Sequence, residues 1–224
     1  MTEFHYVPGV LPTMLATTRR QRAKDALFIP TLVPYFRPGP ILEIGAGCGQ
    51  LSELLAARGL DVTPSDVQPF LVDFMLSRGL QARIMDATDL VSGIDRHYTN
   101  VLAQSISVLI TPDLELVEET YESVHAALPA GGRFIFILPN LWGEHWSRAR
   151  DHLRIADRAG FDLVHRFRHQ ILPSVLYSQL PGAVLRAADG SLGRLLGIRW
   201  VFIFERRPAA GVERPAIADA GSED

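Results

Sequence analysis

Short apolar runs alternate along the chain with longer segments in which apolar residues recur at helical spacing. Ile41 to Ile44 is the first strand that this pattern predicts, and the leucines at 51, 54 and 55 follow it at helical spacing. Alternation of this kind is typical of a parallel sheet with helices on both faces. Four further strands are predicted at Asp61 to Ser65 (ending at Asp66), Leu80 to Met85, Asn100 to Gln104 and Arg133 to Leu138.

The pattern changes after Leu138. Phe161 to His169 mixes polar and apolar side chains, which predicts an edge strand. Trp200 to Glu205 is apolar enough to lie between two other strands. The interpretation is a doubly wound, Rossmann-like α/β fold with a seven-stranded, mostly parallel sheet and an antiparallel last strand. Within the edge strand, alternation predicts that one face carries Leu163, His165, Phe167 and His169.

A single core domain is predicted over residues 41–206, with an inserted helical segment at 172–196. Residues 1–40 are predicted to form a helical lid that precedes this core. Residues 207–224 are rich in Ala, Pro, Gly and acidic side chains and have no apolar period, so we expect a disordered tail.

Composition narrows the possible partners. The 224 residues carry a formal net charge of −3, which provides no overall positive field for nucleic acid or an anionic membrane. Cys48 is the single cysteine, which excludes an internal disulfide and a cysteine-based zinc site. No apolar run reaches the roughly 18 residues of a membrane helix, and the first six residues do not resemble a signal peptide. We therefore expect a cytoplasmic protein without nucleic-acid or membrane partners.

A glycine-rich turn follows the first predicted strand, in the segment from Glu43 to Gly49. Glycine tolerates positive φ and has no side chain to keep a ligand away from the backbone. Amides at the start of the next helix favour negative or polar ligand groups. A dinucleotide-binding fingerprint would need a third glycine at position 50, which is Gln50. The spacing is instead Gly-x-Gly-x-Gly, preceded by an acid.

Two more acids close the next two predicted strands. Asp66 lies 17 residues beyond Gly49, and Asp86 ends the third strand. A carboxylate at the first of these positions can accept hydrogen bonds from both hydroxyls of a ribose. Single acids at strand ends are common, but the glycine-rich turn and these two acids, at three consecutive strand ends, together disfavour a turn that binds nothing.

From Pro40 to Pro139 the chain resembles the class I S-adenosylmethionine-dependent methyltransferases, whose first motif is an acid followed by Gly-x-Gly-x-Gly. The resemblance implies that Asp66 binds the ribose and that Asp86 accepts a hydrogen bond from the adenine amino group. It also implies that the end of the fourth strand lines the cofactor or the acceptor. The cofactor-binding residues expected from the resemblance are Glu43, Gly45, Ala46, Gly47, Gly49, Asp66, Val67, Asp86, Ala87 and Gln104.

Residues past the fifth strand are candidates for the acceptor site. Trp142 and Trp146 could form an apolar wall beside the acceptor, or could simply pack their helix onto the sheet. His145 could take a proton near neutral pH, although a surface histidine is the simpler interpretation. Gln104 stands where magnesium-dependent relatives carry an acid, so we expect no metal. The basic run from Arg19 to Lys24 is interpreted as a solvated helix face, with the alternative that an arginine binds the donor's carboxylate.

The expected function is methyl transfer from S-adenosylmethionine to an oxygen or nitrogen of a small metabolite. The composition, rich in Ala, Arg, Gly and Pro, is associated with bacterial enzymes that modify secondary metabolites. A peptide or protein N-methyltransferase, a nucleotide-binding oxidoreductase and a non-catalytic sensor of S-adenosylmethionine are the alternatives. The identity of the acceptor and the oligomeric state stay open at this point.

Overall fold

One seven-stranded sheet runs through the part of the chain that the computed structural model describes, which is residues 22, 24–138, 145–170, 179, 182–187, 197 and 199–208. The predicted alternation of strands and helices is present throughout this part. Its strands are β1 (Ile41–Ile44), β2 (Val62–Asp66), β3 (Arg83–Ile84), β4 (Asn100–Gln104), β5 (Arg133–Leu138), β6 (Phe161–His169) and β7 (Arg199–Arg206).

Helices connect the strands and cover both faces of the sheet. Helix α6 (Leu114–Ala127) begins where the side chain of Asp113 accepts hydrogen bonds from the amides of Glu115 and Leu116, which satisfies two unpaired donors of the first turn. The described helices are α1 (24–32), α2 (Gln50–Ala56), α3 (Pro69–Ser77), α4 (Leu90–Gly93), α5 (Ser107–Ile110), α6 (Leu114–Ala127), α7 (His145–Arg158) and α8 (Gly182–Ala187). A short 3₁₀ turn, Val33–Tyr35, continues α1.

The strand order is β3-β2-β1-β4-β5-β7-β6. The first five of these strands are parallel, and β7 runs antiparallel to both of its neighbours. The predicted fold class is therefore confirmed, including the polar strand at the edge and the final strand between two others.

The central strands are apolar on both faces, as expected for strands that helices cover on each side. Along β5, Phe134 and Phe136 pack on one face, whereas Ile135 and Ile137 pack on the other. The rings of β5 lie beside those of β7 in register, with Phe134 opposite Phe204. Their ring centroids are 6.1 Å apart. This two-sided packing holds the sheet, and with it the ends of the strands, in a fixed position.

Strand β3 is shorter than predicted. The pattern predicted Leu80 to Met85, but the structure pairs two residues, Arg83 and Ile84, with β2. Both side chains are exposed, Ile84 to 57%. A strand at the edge has one neighbour, and here that neighbour offers only its last two residues, Ser65 and Asp66. Short edge strands of this kind also resist pairing with other chains.

The predicted face of β6 is wrong at Leu163. The pairing register shifts between Leu163 and His165, which lie opposite Phe204 and Ile203 of β7. Those two β7 residues belong to different faces of the sheet. The extra residue of a bulge reverses the alternation of side chains. His165, Phe167 and His169 therefore share a face that Leu163 does not.

The predicted domain boundaries fall largely outside the described residues. Most of the lid at 1–40, of the insertion at 172–196 and of the tail at 207–224 lies there, so these three assignments stay predictions. The described end of the lid is part of the core, because Phe28, Ile29 and Leu32 of α1 are buried against the sheet. Over the described residues, no helix combines the length and the hydropathy needed to cross a bilayer.

Candidate functional site

The carboxyl ends of β1 and β4 mark the point where the strand order reverses. From β1 the chain adds β2 and β3 on one side, and it then places β4 on the other side of β1. Ligands of open α/β sheets bind in the crevice outside the carboxyl ends of the strands at such a point. The residues at the ends of β1, β2, β3 and β4 are therefore the candidates for a site.

The turn after β1 depends on glycine for its conformation. Gly45, Gly47 and Gly49 have φ values of 63°, 57° and 71°, in the left-handed region that other residues rarely adopt. A Cβ at Gly45 would collide with the side chain of Ile106, and a Cβ at Gly49 would lie 2.6 Å from that of Leu80. A Cβ at Gly47 would meet no described atom within 4 Å. The loop is thus packed against other side chains at Gly45 and Gly49, whereas no described atom fills the space beside Gly47.

Asp66, at the end of β2, is tied directly to this loop. Its Oδ2 accepts a hydrogen bond from the amide of Gly47 at 3.0 Å, and its Oδ1 accepts one from the amide of Gln68 at 3.0 Å. The amide of Ala46 also donates to the carbonyl of Ser65, at 2.8 Å. Burial raises the pKa of Asp66 above its ordinary value, although these amides act in the opposite direction. The structure therefore brings together the glycine loop and the predicted ribose-binding acid.

Glu43 lies beneath the loop, with a side chain that is only 3% exposed. Ser52 of α2 donates a hydrogen bond to its carboxyl group, and Ser65 donates one to its backbone carbonyl at 3.0 Å. Burial raises the pKa of Glu43 to about 8. The contact with Ser52 joins β1 to α2, the helix that follows the loop, so Glu43 holds the two ends of the loop together.

The ends of β2 and β3 present an acid and an apolar side chain near each other. Asp86 is exposed, and its Oδ1 accepts hydrogen bonds from the amide and the hydroxyl of Thr88, at 2.9 and 2.8 Å. Val67 is 53% exposed, and Ala87 is partly buried against the core. An exposed apolar surface beside an acid suits a flat, polar-edged ring.

A buried acid of α1 joins this site, and the sequence analysis did not identify it. Asp25 is 1% exposed. Its two oxygens accept hydrogen bonds from Gln50 Nε2 at 3.0 Å and from Gln104 Nε2 at 3.3 Å. Gln104, a predicted cofactor-binding residue at the end of β4, is therefore hydrogen-bonded to a residue of the predicted lid. One signal was available in the sequence: Asp25 precedes Phe28 and Ile29 by three and four residues, which puts it on the apolar face of α1.

The interpretation of the basic run as a solvated face is wrong for Lys24. This side chain is 4% exposed, whereas Arg22 is exposed and forms an ion pair with Glu53 at 2.6 Å. Lys24 precedes the buried Phe28 by four residues, so helical spacing places it toward the sheet.

The side chains of the predicted acceptor residues lie outside the described part of the structure. Trp142 lies among the residues that are not described, and of His145 and Trp146 only the backbone position in α7 is described. Their roles stay predictions. Across the described ranges, no three side chains among His, Cys, Asp and Glu are grouped so that they could hold a metal ion.

Several solved structures have a similar fold over most of the length of this chain. A TehB-like S-adenosylmethionine-dependent methyltransferase from Corynebacterium glutamicum matches with a TM-score of 0.62 and 21% identity, covering 90% of this chain and 100% of that chain. An S-adenosylmethionine-dependent methyltransferase from Archaeoglobus fulgidus matches with a TM-score of 0.62 and 14% identity, covering 87% and 99%. The fold is that of the S-adenosylmethionine-dependent methyltransferases.

A third structure with the methyltransferase fold is the glycopeptide N-methyltransferase MtfA in complex with S-adenosylhomocysteine. It matches with a TM-score of 0.58 and 17% identity, covering 83% of this chain and 87% of that chain. No protein-family model matches the sequence, and no curated protein matches it either. The likeness to known methyltransferases is therefore a likeness of fold.

Proposed function

We propose that this protein is a methyltransferase that uses S-adenosylmethionine to methylate an oxygen or nitrogen of a small metabolite. The observation that carries the proposal is the contact between the glycine loop and Asp66, with open space beside Gly47. The solved structures with this fold are described as S-adenosylmethionine-dependent methyltransferases, which supports the same cofactor here.

The residues at the strand ends fit the parts of this cofactor. Asp66 would accept hydrogen bonds from the ribose hydroxyls, and Asp86 would accept one from the adenine amino group. The exposed side chain of Val67 would pack against the adenine ring. The absence of a side chain at Gly47 would let the cofactor approach the backbone of the loop. Glu43 would act from beneath, by holding the loop to α2 through Ser52.

The bound cofactor would supply an activated methyl group for in-line displacement by a nucleophile of the acceptor. The protein's own contribution is to orient the acceptor and to exclude water, and orientation can supply on the order of 7–11 kcal/mol of a barrier. A general base adds roughly a factor of 10² to 10⁴, and only where the acceptor must lose a proton. His145 is our candidate for that base, and Trp142 and Trp146 for a wall of the acceptor site.

A small acceptor is favoured over a nucleic acid because the net charge is −3 and no overall positive field exists. A cytoplasmic location and a place in secondary metabolism belong to the same proposal. The likeness to the glycopeptide N-methyltransferase favours a second candidate, N-methylation of a peptide-containing acceptor.

Binding measurements test the proposal directly. Isothermal titration calorimetry should show that the full chain binds S-adenosylmethionine and S-adenosylhomocysteine but not a nicotinamide dinucleotide. Supplied with a suitable acceptor, the protein should release S-adenosylhomocysteine, which a sensor without activity would not do. Tight binding of the dinucleotide together with no binding of either adenosyl compound would refute the proposal in favour of an oxidoreductase.

A further inference from the structure

A buried hydrogen-bond network joins α1 to both ends of the glycine loop. Its centre is Asp25, whose Oδ2 accepts a hydrogen bond from Gln50 Nε2 at 3.0 Å and whose Oδ1 accepts one from Gln104 Nε2 at 3.3 Å. Asp25 and Gln50 are 1% and 7% exposed, and Gln104 is partly buried. We name these three residues the Asp25 network.

The register of the sheet explains why the Asp25 network spans the loop. Ile44 of β1 lies opposite Ala103 of β4 in the parallel pair, so Gln104 comes next to the point where the loop begins. Gln50 is the first residue of α2 and directly follows Gly49, at the other end of the loop. The two glutamines therefore flank the point where the strand order reverses, which is where ligands of open α/β sheets bind.

The chemistry of a carboxylate sets the orientation of both carboxamides. A carboxylate accepts hydrogen bonds and donates none, so each glutamine turns its NH₂ group toward Asp25 and its oxygen away. At Gln50 this leaves Oε1 buried and without a hydrogen-bond partner among the described residues. Buried polar atoms in native proteins almost always have a partner. The oxygen of Gln50 therefore points to a ligand that donates a hydrogen bond.

The second glutamine offers the same kind of atom. Because Nε2 of Gln104 is bonded to Asp25, its oxygen is the atom left for a ligand. An ammonium group has three donors and no acceptor, so it can bond to both carboxamide oxygens at once. Lys24 and Arg199 are also buried near this edge of the sheet. It is therefore the direction of the two carboxamides, and not a net negative charge, that selects a donor group of the ligand.

We infer that Asp25 is a positioning residue of the cofactor site, which turns the oxygens of Gln50 and Gln104 toward the α-ammonium group of S-adenosylmethionine. This inference rests on the proposed function and deepens it, because it assigns residues to the amino-acid part of the cofactor. With the nucleoside held at the ends of β2 and β3, the amino-acid part extends toward β1 and β4, the next strands in the sheet. An amine of the methyl acceptor is the other source of an ammonium group. The position of Gln50 directly after the loop favours the cofactor.

The experiment compares two ligands that differ only in the ammonium group. S-adenosylhomocysteine has this group, whereas its desamino analogue has a hydrogen atom in its place and keeps the nucleoside and the carboxylate. Both compounds are titrated by calorimetry into the full chain. The wild type should bind S-adenosylhomocysteine at least about ten-fold more tightly than the analogue.

Asp25→Asn tests the orientation of the carboxamides. Asparagine offers one oxygen and one NH₂ group, so one of the two glutamines must turn its NH₂ group toward the ligand. The preference for S-adenosylhomocysteine should fall to about three-fold or less, while the affinity for the desamino analogue stays within about two-fold of the wild type. Gln50→Met, which removes the unpartnered oxygen at similar volume, should reduce the preference too. Asp73→Asn, at an exposed acid of α3, is the matched control and should retain it.

A purely structural role of Asp25 would give a different result. Loosening α1 would weaken the binding of both ligands by the same factor and leave their ratio at the wild-type value. This outcome in both Asp25→Asn and Gln50→Met would overturn the inference.

A second titration addresses the methyl acceptor as the source of the ammonium group. Benzylamine and benzyl alcohol are titrated into the protein saturated with S-adenosylhomocysteine. No preference for the amine should depend on Asp25, because the cofactor already occupies the two carboxamide oxygens. A preference for benzylamine that Asp25→Asn removes would assign the Asp25 network to the acceptor and overturn the inference.

The comparison of the two ligands in the wild type decides the inference even if a variant does not fold. Equal binding of S-adenosylhomocysteine and its desamino analogue would overturn the inference and leave the proposed function intact. A wild-type protein that binds neither compound would overturn both.

Discussion

At the scale of single residues, the site depends on two acids whose buried carboxyl groups have different neighbours. Asp66 accepts hydrogen bonds from two backbone amides, while Glu43 is held by the hydroxyl of Ser52. Backbone amides favour the ionised form of a carboxyl group, and burial favours the neutral form. Burial is the larger effect for both groups, and it raises the pKa of Glu43 to about 8. Asp66 is our candidate for the ribose acceptor because it lies against the glycine loop, whereas Glu43, held by Ser52, is our candidate for a support of that loop.

Replacing Asp66 should weaken cofactor binding. We expect Asp66→Ala to lose roughly 1.5–3 kcal/mol of affinity for S-adenosylhomocysteine, the scale of hydrogen bonds to a charged group. This corresponds to a dissociation constant raised about 10- to 150-fold, as calorimetry would measure. Asp73→Ala, at an exposed acid of α3, is the matched control and should bind as the wild type does. Unchanged affinity in a folded Asp66→Ala protein would contradict the assignment of the ribose site.

The raised pKa of Glu43 predicts a dependence of stability on pH. A carboxyl group whose folded pKa exceeds its unfolded value near 4.5 contributes stability that is fully present below pH 4.5. That contribution is lost progressively as the pH rises from about 4.5 to about 8. Between pH 5 and pH 8, Glu43→Gln should therefore gain about 3 kcal/mol of unfolding free energy relative to the wild type. Urea denaturation at both pH values measures this difference.

A variant at an exposed acid provides the comparison. Glu115→Gln, on the solvent side of α6, should follow the wild-type pH profile. If Glu43→Gln also followed that profile, the carboxyl group would be ionised in the folded protein and its burial would be compensated in some other way.

At the scale of elements, the strands were predictable where both faces are buried. Arg133 to Leu138 and Asn100 to Gln104 have the predicted bounds because their apolar residues pack against helices on either side. Strand β3 was not predictable in length, because an exposed edge strand leaves no pattern of buried residues. The bulge in β6 could not be predicted, since an inserted residue changes the pairing and not the composition.

A buried polar contact between α6 and α7 is also set by tertiary packing. The hydroxyl of Tyr121 lies 3.1 Å from Nδ1 of His152, and both side chains are buried. Burial lowers the pKa of His152 to about 4, so the ring is neutral at pH 7 and Nδ1 can accept the hydrogen bond of the tyrosine. The sequence did not predict this contact, because helical spacing shows which residues share a face of one helix and not which residues of two helices meet.

Removing this hydroxyl should destabilise the protein without affecting the cofactor site. We expect Tyr121→Phe to lower the unfolding free energy by about 1–3 kcal/mol, because it leaves a buried nitrogen without its partner. Tyr35→Phe, at a partly exposed ring, should cost less than about 0.5 kcal/mol. Chemical denaturation compares the two variants, and equal stabilities would show that the buried hydrogen bond contributes nothing measurable.

At the scale of the whole molecule, the strand order places two sets of polar groups at one edge of the sheet. The ends of β1, β2 and β3 carry the residues proposed for the nucleoside of the cofactor, and Asp25 joins Gln50 and Gln104 beside them. The motif at the first set was readable from the sequence because its residues are close together along the chain. The second set combines side chains from α1, α2 and β4, which only the folded chain brings together.

The central claim is that a nucleoside cofactor lies in the open space beside Gly47, and two glycine variants test it. Gly47 and Gly59 both have positive φ, and a Cβ at either would meet no described atom within 4 Å. Alanine at each should therefore cost a similar 1–2 kcal/mol of backbone strain. Calorimetry with S-adenosylhomocysteine should show at least about ten-fold weaker binding for Gly47→Ala and wild-type binding for Gly59→Ala. Equal, wild-type affinity in both variants would contradict the account.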